Sequence, residues 1–134
     1  IEAMQVLVCL PFMLLRASYG EIKNAVGIEA NVAFLGFSLV LLGLFNRIFF
    51  PMHYKNAYDL GKPFVVSSAA LALGMIILET LQHVLPYLKD VCDSYEAADQ
   101  LRQLPVLFGG LLAFVLLTVH SFSISVRRFE NADL

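Results

Sequence analysis

Hydrophobic residues run along this chain in long stretches instead of alternating with polar residues. Four stretches stand out, at residues 3–15, 30–46 (extended beyond Arg47 to 52), 63–88 and 103–126. The last three reach the length of about 20 residues that a helix needs to cross a bilayer, whereas the first is short for a full span. The pattern predicts an all-α fold, a polytopic membrane bundle of about four transmembrane helices in a single domain over residues 1–134.

Backbone hydrogen bonding favours helices over strands in these stretches. In hydrocarbon every amide group must find its partner within the protein, so a span is either a helix or part of a closed barrel. Barrel strands alternate apolar and polar residues, but residues 111–117 are apolar throughout. Pro63 and Pro105 occupy expected first-turn positions, and Pro86 is expected to weaken the end of the third helix.

Composition agrees with a membrane location. Hydrophobic residues make up 59% of the chain and charged residues 15%, where a soluble domain carries about 25% charged residues. The net charge of −2 offers no electrostatic footprint for nucleic acid. The sequence lacks the nucleotide-binding, hydrolase and zinc-protease motifs, so we expect a protein that is not an enzyme, with no cofactor and no metal. Because the chain begins with Ile1 and not Met, we expect either that residues were removed or that it is a piece of a longer protein.

The connection between the third and fourth stretches has its own pattern. Val91, Tyr95, Ala98 and Leu101 recur at spacings of four and three residues. This spacing predicts a short amphipathic helix within residues 89–102 that lies on the membrane surface or caps the bundle.

Basic residues indicate the orientation. One side of the predicted bundle holds five of them: Arg47, Lys55, Lys62, Arg127 and Arg128. The other side holds four: Arg16, Lys23, Lys89 and Arg102. The positive-inside rule therefore places the 47–62 connection and the C-terminus in the cytoplasm, with the chain as a multi-pass protein of the inner (plasma) membrane.

Glu79 is the polar residue most relevant to chemistry, because a carboxylate within a span is costly and usually faces protein or water. His83 follows four residues later and shares its helix face. The pair could serve a translocation path or a proton-linked site, and Glu79 could equally be a solvated residue near the outer interface. A metal would need a third ligand, and the nearest candidate, His120, lies at a different depth.

Small residues form three further patches, within 67–74, within 109–113 and at Gly36 with Gly43. Small side chains allow the backbones of membrane helices to approach closely. We therefore expect these patches to be helix-packing surfaces.

Two segments resemble the type-2 ABC exporter permeases of bacteria. Residues 49–62 contain a proline-apolar-aromatic step followed by a short link with a glycine and a basic residue, matched here by Pro51, Met52, Tyr54, Gly61 and Lys62. The tail 123–134 is similar to that family's C-terminus, in which serine, basic, aromatic and acidic residues follow the last helix. The resemblance implies the C-terminal part of a permease subunit that forms part of a substrate path, pairs with a second permease subunit and is driven by a separate ATP-binding subunit.

The resemblance covers about 26 of 134 residues, and the family's front spans and coupling helix have no counterpart here. The family's usual ATPase contact therefore has no counterpart among these residues. We expect a cytoplasmic contact surface on the link, at Arg47, His53, Tyr54, Lys55 and Lys62. Two alternatives stay open. One is a non-transporting membrane scaffold or assembly protein, and the other is a proton-linked transporter centred on Glu79 and His83.

Overall fold

The computed structural model describes Pro11 and residues 31–55, 59–92 and 97–130. Within these ranges the chain forms four helices and no strand, namely α1 (Val32–His53), α2 (Gly61–Val84), α3 (Pro86–Cys92) and α4 (Ala97–Glu130). The predicted all-α bundle is confirmed for this part of the chain. The first predicted stretch, 3–15, lies outside the described residues except for Pro11.

Three of these helices, α1, α2 and α4, are long and apolar enough to cross a membrane. At a rise of 1.5 Å per residue they measure about 33, 36 and 51 Å, against about 30 Å of hydrocarbon. This is the character of a helical membrane protein. The greater length of α4 carries both of its polar ends well beyond an apolar layer of that thickness.

The helix α1 lies between the other two spans. It packs against α4 along most of its length and against α2 on its other side, while α2 and α4 have no contact with each other among the described residues. Helices α1 and α4 run parallel, since Ala33 meets Gln103 near their N-terminal ends and Pro51 meets Arg128 near their C-terminal ends. Helix α2 runs in the opposite direction to α1, since Phe64 near its start lies beside Phe45 and Gln82 near its end lines a cleft with Asn31.

Glycines bring α1 and α4 together. A Cβ atom at Gly36 would lie 2.7 Å from the carbonyl oxygen of Val106, and one at Gly43 would lie 3.0 Å from the Cα of Phe114. Both obstacles are backbone atoms, which cannot move aside without separating the helices. The predicted packing role of these two glycines is thus confirmed, and Gly110 contributes from the α4 side, whereas a Cβ at Gly109 would meet open space.

Polar side chains cross-link the same pair of helices. The side-chain oxygen of Gln103 accepts a 3.1 Å hydrogen bond from the amide of Ala33, and the hydroxyl of Ser121 donates to the carbonyl of Asn46 at 2.7 Å. Gln103 is fully buried, with an exposed fraction of 0%. Helices in lipid usually associate through interhelical hydrogen bonds and through small residues at their contact, because burial of apolar surface contributes little there.

The break after α2 follows the expected effect of Pro86. Leu85 is extended, and Pro86 begins the short helix α3. A residue before proline is disfavoured in the helical region because the proline ring crowds its backbone, so α2 ends at Val84, earlier than the predicted boundary of 88.

Two predictions for the next segment were wrong. No separate surface helix extends to residue 102, because residues 97–102 belong to the same helix, α4, as the fourth span. Pro105 therefore lies inside α4 and not in its first turn. Its missing amide removes the partner of the Leu101 carbonyl. Leu101 and Pro105 are both exposed, so that carbonyl can bond to water or headgroups near the end of the span.

Candidate functional site

A cleft opens between α1, α2 and the end of α3, with a volume of 70 Å³. Its polar lining consists of Asn31, Ser38, Glu79, Gln82 and Cys92. Its apolar lining includes Phe34, Phe37 and Met75. We call this the Glu79 cleft, because Glu79 is the one charged side chain among the described residues that line it.

Glu79 and His83 lie as close as their spacing predicted. The Nε2 atom of His83 is 3.8 Å from Oε1 of Glu79, and the side chains of His83 and Glu79 are 68% and 46% exposed, respectively. Only Glu79 belongs to the cleft lining. Glu79 lies about 27 Å along α2 from Gly61 and about 8 Å from its end, so a 30 Å apolar layer centred on this helix would place it roughly one turn inside the boundary.

His120 is not brought to this pair. It is exposed on α4, and α4 does not contact α2 within the described ranges. Among the residues that the structure describes, no group of three His, Cys, Asp or Glu side chains is close enough to hold a metal ion.

Asn31 organises the end of the bundle where the cleft lies. Its side-chain oxygen accepts a 2.9 Å hydrogen bond from the amide of Phe34, and its side-chain nitrogen donates to the carbonyl of Cys92 at the end of α3. Asn31 is therefore the N-cap of α1 and also joins α1 to α3. Asn31 was not among the residues predicted from the sequence, although an asparagine directly before an apolar run is a typical helix N-cap.

Basic residues gather at the opposite end of the bundle, and we call Lys55, Lys62, Arg127 and Arg128 the basic end. The guanidinium of Arg128 donates to the carbonyl of Pro51, and the ring of Phe129 lies 6.2 Å from that of Tyr54 in a T-shaped arrangement. These contacts confirm that the 47–62 connection and the arginine pair lie on one side of the bundle.

The five residues of the predicted cytoplasmic contact surface differ in accessibility. Tyr54, Lys55 and Lys62 are exposed. Arg47 is partly buried about 9 Å before the end of α1. His53 stacks on Phe49 with its ring centre 5.8 Å away, and its Nδ1 atom is buried without a partner in the described structure. The exposed members therefore belong to the loop and the first turn of α2.

The first turn of α2 is held by its preceding loop. The carboxylate of Asp59 accepts a 3.1 Å hydrogen bond from the backbone amide of Lys62, which satisfies one of the unpaired amides at this helix start. Pro63 follows, confirming its predicted first-turn position. Lys62 itself is exposed.

Comparison with known proteins does not assign this arrangement. No protein-family model, no curated protein and no solved structure matches the chain. The function of the chain must therefore be inferred from its fold and from the residues at the two ends of the bundle.

Proposed function

We propose that this chain is a membrane-spanning permease subunit of an ABC-type exporter of the plasma membrane. In this proposal it forms part of the substrate path, pairs with a second permease subunit and is driven by a separate ATP-binding subunit. One observation supports this most directly. The two segments that resemble the exporter permeases are far apart in the sequence, yet Tyr54 of the first contacts Phe129 of the second.

The basic end has the properties of a cytoplasmic docking surface. Lys55, Lys62, Arg127 and Arg128 come from the ends of three different helices and are all exposed. A concentration of positive charge beside spanning helices favours the cytoplasmic side. Charged groups at the edge of an interface also orient a partner of opposite charge. A cytoplasmic ATPase subunit would need such orientation to dock.

The exposed apolar faces of α2 and α4 support a partner within the membrane. Leu73, Ile76 and Ile77 of α2 are exposed, as are Leu112 and Leu116 of α4. Since α2 and α4 do not contact each other within the described ranges and are joined only through α1 and the short helix α3, both keep a wide surface that lipid or a second permease subunit would cover. A path for substrate would then lie between subunits.

The test begins with the neighbouring reading frame, which we expect to encode a protein with a Walker A loop. Co-expression of the two full-length proteins should give a complex whose ATP hydrolysis rises when the permease is present. Lys55→Glu combined with Lys62→Glu should weaken co-purification by about tenfold. Arg102→Glu is the matched control, since Arg102 is also exposed but lies near the other end of α4.

Several outcomes would contradict the proposal. A purified complex with no change in ATP hydrolysis would favour the scaffold or assembly protein. Failure to find or to bind any ATP-binding subunit would reject the exporter. Equal effects of the charge reversals at both ends would remove the basic end as the docking surface.

A proton-linked transporter is the second candidate, and it is favoured by the 3.8 Å separation of Glu79 and His83. That function predicts that Glu79→Gln abolishes transport while membrane insertion stays normal. In an ABC exporter the same substitution should leave ATP-driven transport intact and change only the preference among substrates. Transport in proteoliposomes, with ATP or with an imposed proton gradient, separates the two candidates.

A further inference from the structure

We propose that the Glu79 cleft binds the ammonium group of a cationic amphiphile, with the apolar part of that molecule lying against Phe34, Phe37 and Met75. As a statement about the transported substrate, this inference rests on the permease proposal. As a statement about binding, it depends on the cleft alone.

The charges around the cleft favour a cationic ligand. Glu79 is the one charged side chain that the described residues contribute to the cleft, and no basic side chain among them lines it. A carboxylate about one turn inside an apolar layer is poorly solvated, and such groups in membrane proteins normally have a counter-charge. His83 is 3.8 Å from Glu79 but lies outside the cleft lining. On the cleft side a ligand ammonium group would supply the counter-charge, whereas a ligand carboxylate would be repelled.

Polar groups near the carboxylate suit an ammonium headgroup. Gln82 lies one turn from Glu79 on α2 and also lines the cleft, as does Ser38 from α1. Amide and hydroxyl oxygens accept the protons that an ammonium group donates beyond its ion pair. The hydroxyl of Ser38 donates its own proton to the carbonyl of Phe34 at 2.8 Å, which leaves the oxygen lone pairs to accept.

The apolar lining defines the rest of the ligand. Phe34 and Phe37 belong to the same wall as Ser38, and Met75 lies one turn before Glu79. Aromatic faces attract cations within about 6 Å, and they also pack against alkyl chains. The cleft therefore joins a site for positive charge to an apolar surface, which is the complement of an amphiphile.

Size limits what enters. One water molecule needs roughly 10–15 Å³ on this measure of volume, so 70 Å³ accommodates a group of roughly five non-hydrogen atoms. A primary ammonium with its first few methylene groups fits, and the remainder of a longer chain would extend through the open side of the cleft.

The test uses chemical protection of a thiol introduced by Leu41→Cys, at a position that lines the cleft and offers no polar group to the ammonium. The full-length chain in zwitterionic nanodiscs is treated with methyl methanethiosulfonate, and modification is followed by peptide mass, so Cys9 and Cys92 are read separately. The probes are hexylammonium, hexanol and hexanoate, which share an alkyl chain and differ in charge. Ser123→Cys on α4 is the control, because Ser123 is exposed and does not line the cleft.

Hexylammonium should slow modification at position 41 at least about tenfold more than hexanol, and hexanoate should not protect. Glu79→Gln should remove the advantage of hexylammonium over hexanol, while Asp90→Asn, which changes an exposed acid outside the cleft, should keep it. The thiol at position 123 should be modified at the same rate in the presence of each probe.

Equal protection by hexanol, or protection that survives Glu79→Gln, would overturn the proposal, and so would the absence of any protection. The assay contains neither ATP nor an ATPase subunit. Failure of the binding proposal can therefore be distinguished from failure of the exporter proposal, because the two are tested in separate experiments.

Discussion

Gly110 of α4 packs directly against the backbone of Gly36 of α1. A Cβ atom at Gly110 would lie 2.7 Å from the carbonyl carbon of Gly36 and 2.8 Å from its Cα. The adjacent Gly109 faces open space. Two neighbouring glycines in one helix thus have opposite environments, which makes them a matched pair for testing how α1 and α4 associate.

Gly110→Ala should destabilise the bundle, while Gly109→Ala should not. The added methyl at position 110 meets backbone that cannot yield, and overpacking of this kind costs about 1–3 kcal/mol. At position 109 the methyl enters open space and alanine favours the helix by up to about 1 kcal/mol. The effects of both substitutions are measured as changes in the free energy of unfolding in mixed micelles with SDS. Equal losses at the two positions would show that α1 and α4 do not approach as described.

Gln103→Leu should destabilise the bundle by about 1–3 kcal/mol, because the buried amide of Ala33 loses its acceptor. Arg102→Leu changes the adjacent exposed residue and should change the unfolding free energy by less than about 0.5 kcal/mol. The same unfolding measurement applies. A loss at position 102 as large as that at position 103 would contradict the assignment of Gln103 to the α1–α4 contact.

Ser121→Ala should cost about 0.6 kcal/mol, which is the average for a hydrogen bond between membrane helices. Ser123→Ala is the control, since the Ser123 hydroxyl bonds to its own helix and the residue is exposed. Each variant is compared with the parent by unfolding free energy. The hydrogen bond from Ser121 to Asn46 would be discounted if both variants behaved as the parent does.

The two ends of the bundle should label from opposite sides of the membrane. Lys55→Cys is expected to react with a membrane-impermeant maleimide only from the cytoplasmic side, and Arg102→Cys only from outside, since the positive-inside rule orients the basic end. Intact cells expose the outer side of the membrane to the reagent, and inverted vesicles expose the cytoplasmic side. Labelling of Lys55→Cys in intact cells would reverse the orientation and remove the basic end as a docking surface for an ATPase.

Much of the fold was predictable because the spans are local features of composition. A run of about 20 apolar residues identifies a helix without reference to any other part of the chain, and Pro86 marked the end of α2 for a reason equally local. The boundary of α4 was not predictable in this way. Spacings of three and four residues fit a separate surface helix and an extension of the next span equally well, and only the structure distinguishes them.

The candidate site was predictable only in part. The spacing of Glu79 and His83 placed them on one helix face, but it carried no information on what that face meets. Asn31 could have been recognised as an N-cap from its position, whereas its bond to Cys92 could not. The side of the bundle shared by Lys62 and Arg128 followed from the number of spans between them, not from any contact visible in the sequence.

The sequence by itself determined that this chain forms apolar helices of membrane-spanning length and that its basic residues favour one side, because run length and charge are properties of consecutive residues. The tertiary structure decided that α1 packs between α2 and α4, that Gly36 faces Gly110, and that Glu79 lines a cleft with Phe34. These relationships join residues on separate helices. They depend on how whole helix surfaces fit together, and spacing along a single helix does not specify its neighbour.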